Sequence, residues 1–212
     1  DDNSKEEGLL SYLRELEKNP KFKVIYRTEN GHISACSNSA LALATGDFIC
    51  FMDHDDLLTK DALFHFADAL NLDSSLAIIY SDEDKITEKG RYTQPNFKPN
   101  WSPDTFLSRN YIGHFIGIKK SIVDQLNGFR LGFEGSQDYD LLLRATEVSQ
   151  QIHRIPKILY HWRMHDKSTA MNEEAKDYAF LSGVKALNEA LQRRNIKGIA
   201  NLQSGKPGFY RI

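Results

Sequence analysis

The stretch Gly-Asp-Phe-Ile-Cys-Phe-Met-Asp-His-Asp-Asp at residues 46–56 constrains the fold of this chain more than any other. Its apolar run 48–52 is typical of a short strand buried on both faces, although periodicity alone also allows a buried helix. Three carboxylates follow, at Asp53, Asp55 and Asp56. Ligands of open α/β sheets bind beyond the carboxyl ends of strands, and crowded acids repel one another unless a cation lies between them. The stretch therefore indicates a Mg²⁺ or Mn²⁺ site completed by a phosphate; the alternative is a solvated acidic turn that caps the next helix.

Length and composition are those of an ordinary globular domain, and they narrow the choice of partner. With 212 residues, 41% of them apolar and 26% charged, the chain is long enough to bury one core. A formal net charge of -2 gives no reason to expect nucleic acid as a partner. No apolar run approaches the length of a membrane-spanning helix, and no signal peptide is visible. Cys36 and Cys50 form no metal-type pair and weakly indicate a reducing compartment.

Helices and strands are expected to alternate up to residue 84, which is typical of βαβ units and a mainly parallel sheet. Ser4 and Glu7 match a capping box ahead of the first helix. The second apolar strand, like the first, is followed by acids, at Asp82, Glu83 and Asp84. The predicted helices cover residues 5–18, 34–45 and the segment after Thr59, and the predicted strands cover residues 22–27, 48–52 and 76–80.

The second half of the chain has a different pattern, with more prolines and at first fewer regular elements. Residues 86–112 are polar and aromatic and are expected to form mostly loop, with a short helix that begins at Ser102-Pro103-Asp104. Apolar periodicity then predicts regular elements again. These are helices at 121–126, 137–148 and 173–195, and strands at 114–118 and 158–164.

A candidate general base lies at the start of the helix predicted for residues 137–148. Asp138 and Asp140 follow the turn 132–135, which is bracketed by glycines. The dipole and free N–H groups of a helix start favour an ionised carboxylate, so Asp138 either caps the helix or accepts a proton from a substrate. Because the loop also carries Glu134 and Gln137, it holds more polar groups than a cap requires.

A second polar cluster is predicted on the strand at 158–164. Alternation places His161, Arg163 and His165 on one face of this strand. A histidine on a surface strand is more often inert than a ligand. Two histidines with an arginine, followed by Ser168, nevertheless favour a polar site that holds metal or phosphate.

As a set, these motifs resemble family 2 glycosyltransferases with the GT-A fold, most of all bacterial enzymes that build cell-surface polysaccharide and O-antigen chains. The resemblance covers essentially the whole chain. The set is specific, whereas the DxD motif alone would be weak. The matching segments are residues 1–4 (an Asp-Asp-x-Ser turn), 53–56 (the DxD motif), 81–85, 110–114, 134–140 (the Glu-Asp motif, with Gln137 in place of its Glu) and 163–168 (Arg-x-His-x-x-Ser).

The resemblance implies a role for individual residues. Asp138 would be the catalytic base. Mn²⁺ or Mg²⁺ would be held by Asp53, Asp55 and His165, with Asp56 as the alternative to Asp53. The nucleotide sugar would be bound by Asp2, Arg27, Asn38, Asp53, Asp55 and Arg163. The acceptor would lie against Asp82, Trp101, Tyr111, His114 and Glu134. The aromatic residues among these are chosen because aromatic rings commonly pack on sugars, and ordinary loop packing explains Trp101 and Tyr111 about as well.

One departure from the family concerns the N-terminal elements of the fold. The family begins with a strand, a helix and a second strand that ends at the Asp-Asp-x-Ser turn, whereas this sequence begins at the turn itself. We therefore expect one GT-A-like α/β domain over residues 1–212, with a mixed, mainly parallel sheet flanked by helices. We expect this domain to be a fragment that lacks the N-terminal nucleotide-binding strands. An uncovered sheet edge would favour self-association.

The expected function is inverting transfer of a sugar from a nucleotide sugar to a hydroxyl of a glycan or lipid-linked acceptor in cell-surface polysaccharide synthesis. The expected location is cytoplasmic, at the inner face of the cell membrane, with peripheral membrane association left open. A non-catalytic carbohydrate- or partner-binding domain of the same fold is the alternative. A phosphatase of the haloacid-dehalogenase type is disfavoured, because its motif has Thr or Val two residues after the second Asp and this chain has Leu57 there.

Overall fold

The computed structural model describes residues 1–164 and 173–212, apart from the side chains of residues 173–177. The helices are α1 (Leu9–Leu16), α2 (His32–Leu43), α3 (Ala62–Leu72), α4 (Pro103–Ser108), α5 (Lys120–Gln125), α6 (Gln137–Val148) and α7 (Glu173–Arg193). The strands are β1 (Phe48–Phe51), β2 (Leu57–Leu58), β3 (Ile78–Ile86), β4 (Tyr92–Asn96), β5 (Ile116–Lys119), β6 (Ile152–Arg163), β7 (Asn201–Leu202) and β8 (Tyr210–Arg211). The mixed α/β architecture that the sequence predicts is confirmed.

Among the described residues, six strands form the main sheet, in the order β1-β5-β3-β6-β2, and β4 also pairs with β3. β3 and β6 are parallel, whereas the other ladders between described residues are antiparallel. Pairing is therefore mixed, as predicted, but its parallel part is confined to the ladder at the centre of the sheet. β4, for example, follows β3 through a short turn that reverses the chain, and such a connection permits only antiparallel pairing. β7 and β8 form a separate hairpin.

Helices cover both faces of the sheet, which explains why the start of β3 is apolar without a break. Ile78 and Tyr80 belong to the larger core, with Leu142 of α6. Ile79, between them, belongs to the smaller core on the opposite face, with Phe66 of α3. Strand alternation alone sends neighbouring residues to opposite faces, and here both faces are buried.

β3 runs further than predicted, through the acids to Ile86 instead of ending before them. The sequence predicts an end there because a buried carboxylate is costly without a partner. Asp82 and Asp84 are buried nonetheless. Asp82 accepts hydrogen bonds of 2.9 and 2.6 Å from Arg154, and Asp84 Oδ1 lies 2.5 Å from His161 Nδ1. Both partners lie on β6, so strand pairing supplies the groups that make these buried acids tolerable.

Three local predictions are wrong. Residues 22–27 form no strand; within the described chain their backbone pairs with Asp1 through hydrogen bonds of 2.9 and 3.0 Å, which is too short a contact for a ladder. α1 begins at Leu9, behind Gly8 with φ 83°, and not at the Ser4–Glu7 capping box. β6 begins well before residue 158, because Pro156 lies at a shift in its register with β3 and so does not interrupt the strand.

A buried ion cluster fixes the position of α6. Asp140 is fully buried and accepts hydrogen bonds from Arg144 Nε at 3.0 Å and from Arg130 Nε at 3.1 Å. Arg130 also pairs with Glu189 of α7, at 2.6 Å. Burial lowers the pKa of Arg144, and the neighbouring Asp140 opposes that shift. The cluster therefore joins α6 to α7 and to the segment before α6.

Asp140→Ala should lower the free energy of unfolding by about 3–5 kcal/mol, because it leaves the buried guanidinium of Arg144 without its carboxylate. Urea denaturation followed by circular dichroism measures the change. Asp124→Ala is the matched control: it removes an exposed pair with Lys120 and should cost less than about 1 kcal/mol. Equal losses in the two variants would contradict the role given to the cluster.

Candidate active site

One buried side chain, Tyr160, ties the acidic turn after β1 to β6. Its hydroxyl donates to Asp56 Oδ2 at 2.5 Å and accepts from the amide of Asp53 at 3.1 Å. The amide of Arg163 donates to Asp56 Oδ1 at 2.7 Å. Burial is the largest influence on Asp56 and raises the pKa of its carboxyl, while these hydrogen bonds lower it by less. Asp56 thus anchors the turn, which separates its role from that predicted for Asp53 and Asp55.

Asp53 faces a cavity of about 530 Å³, which we call the first cavity. Its side chain is 49% exposed, and Asp53 Oδ2 lies 3.6 Å from His114 Nε2. The ring of His114 in turn stacks on Tyr160, with the centroids 4.9 Å apart. The acidic turn and the histidine are therefore held at one wall of the cavity by the same tyrosine.

The sequence predicts a metal ion at this wall of the first cavity. Within the described residues, no group of three or more His, Cys, Asp or Glu side chains is placed to hold a metal ion. Mg²⁺ is usually bound by one or two carboxylates together with substrate phosphates, and not by an all-protein cage. Asp53, which lines the cavity, is suited to a cation bound in that way, whereas Asp55 is not among the lining residues; both stay predicted ligands.

Asp138 lines the first cavity from the first turn of α6. Asn110 Nδ2 donates to Asp138 Oδ2 at 2.9 Å and so orients the carboxylate. Gly135, just before the helix, has φ 82°, and a Cβ there would lie 2.7 Å from the Cβ of Ala179 on α7. Glycine is therefore required for the loop to pack this closely on α7. The fold thus brings the predicted base into the cavity that also contains Asp53.

The predicted acceptor residues divide into two groups. His114 and Glu134 line the first cavity, whereas Asp82, Trp101 and Tyr111 are not among its lining residues. Asp82 is 1% exposed, with its carboxylate paired inside the sheet, and Tyr111 is 5% exposed. Trp101 packs against an aromatic ring of α4 at a centroid distance of 5.4 Å. These three side chains make contacts within the fold, and their predicted contacts with the acceptor stay a prediction.

Three predicted donor-binding residues make contacts within the fold and do not line the first cavity. Arg27 Nε donates to Asp2 Oδ1 at 2.7 Å, and the amide of Gly31 donates to Asp2 at 3.0 Å. The bond from Gly31 is the main cause that lowers the pKa of Asp2, with a further contribution from Arg27. Asn38 exchanges two hydrogen bonds of 2.8 Å with the backbone of Phe129. Donor binding by Asp2, Arg27 and Asn38 stays a prediction.

On β6, Trp162 faces the first cavity, while the neighbouring His161 lies against Asp84. The prediction that His161 belongs to a polar site on this strand is therefore wrong, because its ring is bound to Asp84 inside the sheet. Arg163 Nε donates to the carbonyl oxygen of Asp55 at 2.6 Å and so supports the acidic turn. His165 lies outside the described residues, and its predicted role as a ligand stays untested.

Comparisons with known proteins decide the family. Residues 1–126, more than half of the chain, match glycosyl transferase family 2. The chain belongs to this family. A family relative, O-antigen biosynthesis protein RfbC of Myxococcus xanthus, is 35% identical over 213 residues, which cover 100% of this chain and 16% of that protein. The chain therefore spans only a small part of that relative.

Two solved structures share the fold of this family 2 domain. S. aureus TarS 1-349 in complex with UDP-GlcNAc has 18% identity and a TM-score of 0.65, over 92% of this chain and 62% of that one. Mannosyltransferase PcManGT from Pyrobaculum calidifontis, in complex with GDP-Man and Mn²⁺, has 15% identity and a TM-score of 0.58. The match covers 94% of this chain and 55% of that one. The predicted GT-A fold is confirmed. None of the helices in the described part of the chain combines the length and apolar character needed to cross a bilayer.

Sequence reasoning missed Lys98 as a support of the site. Its side chain is fully buried and donates to Glu83 Oε2 at 3.1 Å, to the carbonyl of Ile112 at 2.5 Å and to the carbonyl of His114. Burial is the main cause that lowers the pKa of Lys98, and Glu83 opposes it. Glu83 also accepts from the amide of His114, at 2.9 Å. The sequence gives little reason to predict a buried lysine in this aromatic, proline-rich segment, since most lysines are exposed.

Tyr160→Phe should lower the free energy of unfolding by about 1–3 kcal/mol, because it leaves Asp56 Oδ2 and the amide of Asp53 without their partner. Thermal and urea denaturation measure the loss. Tyr92→Phe is the matched control, because Tyr92 is 61% exposed and should cost almost nothing. A Tyr160→Phe variant as stable as the control would show that the hydroxyl does not anchor the turn.

Proposed function

We propose that this family 2 domain is an inverting glycosyltransferase that moves a sugar from a nucleotide sugar to a hydroxyl of a glycan or lipid-linked acceptor. One observation carries the proposal: Asp53 and Asp138 line the same cavity. Such a transfer needs groups that stabilise a departing diphosphate and a base that accepts a proton from the attacking hydroxyl. An acidic turn suited to a cation and an oriented carboxylate supply these two parts.

The acidic turn would hold the donor. The similar structures from S. aureus and P. calidifontis contain UDP-GlcNAc and GDP-Man with Mn²⁺, which supports a nucleotide sugar and Mn²⁺ or Mg²⁺ as ligands here. Asp53 and Asp55 would bind the cation, and His165 is a further predicted ligand. Stabilisation of the negative charge on the leaving diphosphate is the chemistry that the cation supplies when bound. His114 was predicted to contact the acceptor; because its ring lies 3.6 Å from Asp53, we assign it instead to the donor phosphates.

Asp138 would act as the base. The acceptor oxygen forms a bond to the anomeric carbon as the bond from that carbon to the diphosphate breaks, and the configuration inverts. The hydroxyl proton passes to Asp138 in this step. Because Asn110 holds Oδ2, the proton would be accepted at Oδ1. Asn110 is therefore a positioning residue, which fixes the direction of the base.

The proposed cellular role rests on the name of a relative. The name of the Myxococcus xanthus relative refers to O-antigen biosynthesis, which supports a role in cell-surface polysaccharide synthesis. A domain with such a role would work at the inner face of the membrane, next to its acceptor. Donor sugar, nucleotide base and linkage would be identified by screening nucleotide sugars with Mn²⁺ for an increase in melting temperature.

Asp138→Asn should lower turnover by about 10²–10⁴-fold, because the amide keeps the shape of the side chain but cannot accept the proton. Donor affinity should stay unchanged. Turnover is measured as release of nucleoside diphosphate from the donor that the screen identifies. Asp68→Asn, an exposed change on α3, is the control. Near-normal turnover of the Asp138 variant would assign the base to another carboxylate, and Glu134 would be tested next.

Asp53→Asn and Asp55→Asn should each remove most of the Mn²⁺-dependent part of donor affinity, because a neutral amide is a poorer ligand for a hard cation. Titration calorimetry with the donor, with Mn²⁺ or with EDTA, separates this part from the metal-independent part. Undiminished Mn²⁺-dependent affinity in both variants would contradict the metal assignment. Their melting temperatures in EDTA show whether the fold is preserved.

A further inference from the structure

Asp138 lies between two cavities, and the proposed function uses only one of them. The first cavity contains Asp53, and a second cavity of about 360 Å³ adjoins it. Gly135 and Asp138 line both cavities. Asp138 is therefore common to both cavities.

The β7–β8 hairpin builds one wall of the second cavity. Tyr210 of β8 is 6% exposed, and its ring stacks on Tyr139 of α6 with the centroids 5.8 Å apart. Gly183 of α7 makes room for this ring, because a Cβ there would collide with the Tyr210 hydroxyl. The same packing holds Phe209 in the wall, with 36% of its surface exposed. The wall is thus a fixed part of the fold.

Arg109 presents a positive charge in this second cavity. Its guanidinium carbon lies 5.1 Å from the centroid of the Phe209 ring, which holds the group in place. Arg130 and Arg154 pair with buried carboxylates, whereas Arg109 makes no ion pair with any residue that the structure describes. A guanidinium that is stacked on a ring and has no ion pair among the described residues is suited to bidentate hydrogen bonds with a carboxylate or a phosphate group.

The direction of attack connects this cavity to the reaction. In an inverting displacement the acceptor oxygen approaches from the side opposite the leaving group, and the base must contact that oxygen. A donor in the first cavity leaves the second cavity as the approach for the acceptor. We propose that the second cavity is the acceptor subsite and that Arg109 selects acceptor glycans that carry a carboxylate or a phosphate. This inference rests on the proposed function, because it takes the first cavity as the donor site.

A glycan array tests the selection without knowledge of the acceptor backbone. Each backbone is displayed in a neutral form, with uronic acid and with phosphate, and the 212-residue chain is applied with and without a saturating nucleotide sugar and Mn²⁺. We expect acidic forms to be retained about tenfold more strongly than their neutral counterparts, as for a charge-assisted hydrogen-bonded pair. The uronic acid and phosphate forms show which of the two anions is preferred.

Variants of Arg109 give the decisive outcome. Arg109→Gln should abolish the preference for acidic forms. Arg109→Lys should retain part of it, because lysine keeps the positive charge but cannot donate the paired hydrogen bonds of a guanidinium. Arg91→Gln removes an exposed charge on the β3–β4 turn and should change nothing. An Arg109→Gln variant with the wild-type preference, or a wild-type chain that retains no acidic glycan, overturns the inference.

A separate measurement distinguishes this failure from failure of the proposed function. Donor binding with Mn²⁺ is measured by calorimetry on the same preparations, and Arg109→Gln should leave it unchanged. If donor binding is intact and the acidic preference is absent, only the acceptor inference fails. If the wild-type chain binds no nucleotide sugar, the proposed function fails first, and with it the reason for an acceptor site here.

Discussion

The hydroxyl of Tyr160 is the contact on which the candidate site depends. It bonds to Asp56 and to the amide of Asp53, while its ring stacks on His114. A tyrosine buried in the sheet has few accessible rotamers, so these contacts hold the acidic turn and the histidine at fixed positions. Catalytic groups need such fixed supports, because small displacements of reacting atoms reduce the rate strongly.

The same site is built on buried charges, each with a partner. Lys98, which is fully buried, joins Glu83 of β3 to the segment that carries His114. Asp140 and its arginines hold α6, which carries Asp138. Removing one partner from such a pair is costly, because the remaining charge stays buried. The two walls of the first cavity are therefore positioned by electrostatic contacts as well as by apolar packing.

Sequence motifs singled out residues that the fold brings to one cavity, but they did not predict which side chains the fold buries. Asp53 and Asp138 are 85 positions apart, yet a resemblance at both places implied that they act together, and the structure places both on one cavity. Tyr111 was predicted as an acceptor contact by its residue type and Asp82 from a family-like segment, and both side chains are buried. Lys98 was missed as a support of the site, because no local pattern distinguishes a buried lysine from a solvated one.

The sequence by itself determined the fold class, the bounds of α6 and the acidic end of β1, since apolar periodicity and turn residues are local signals. The family followed from motifs that are specific as a set. Only the tertiary structure decided that β3 continues through Asp82 and Asp84, because their partners lie on β6, about 70 residues further along the chain. It also decided that Asp56 anchors its turn and that Asp138 lies between two cavities. Burial and long-range pairing depend on which segments the fold brings together, and no local pattern contains that information.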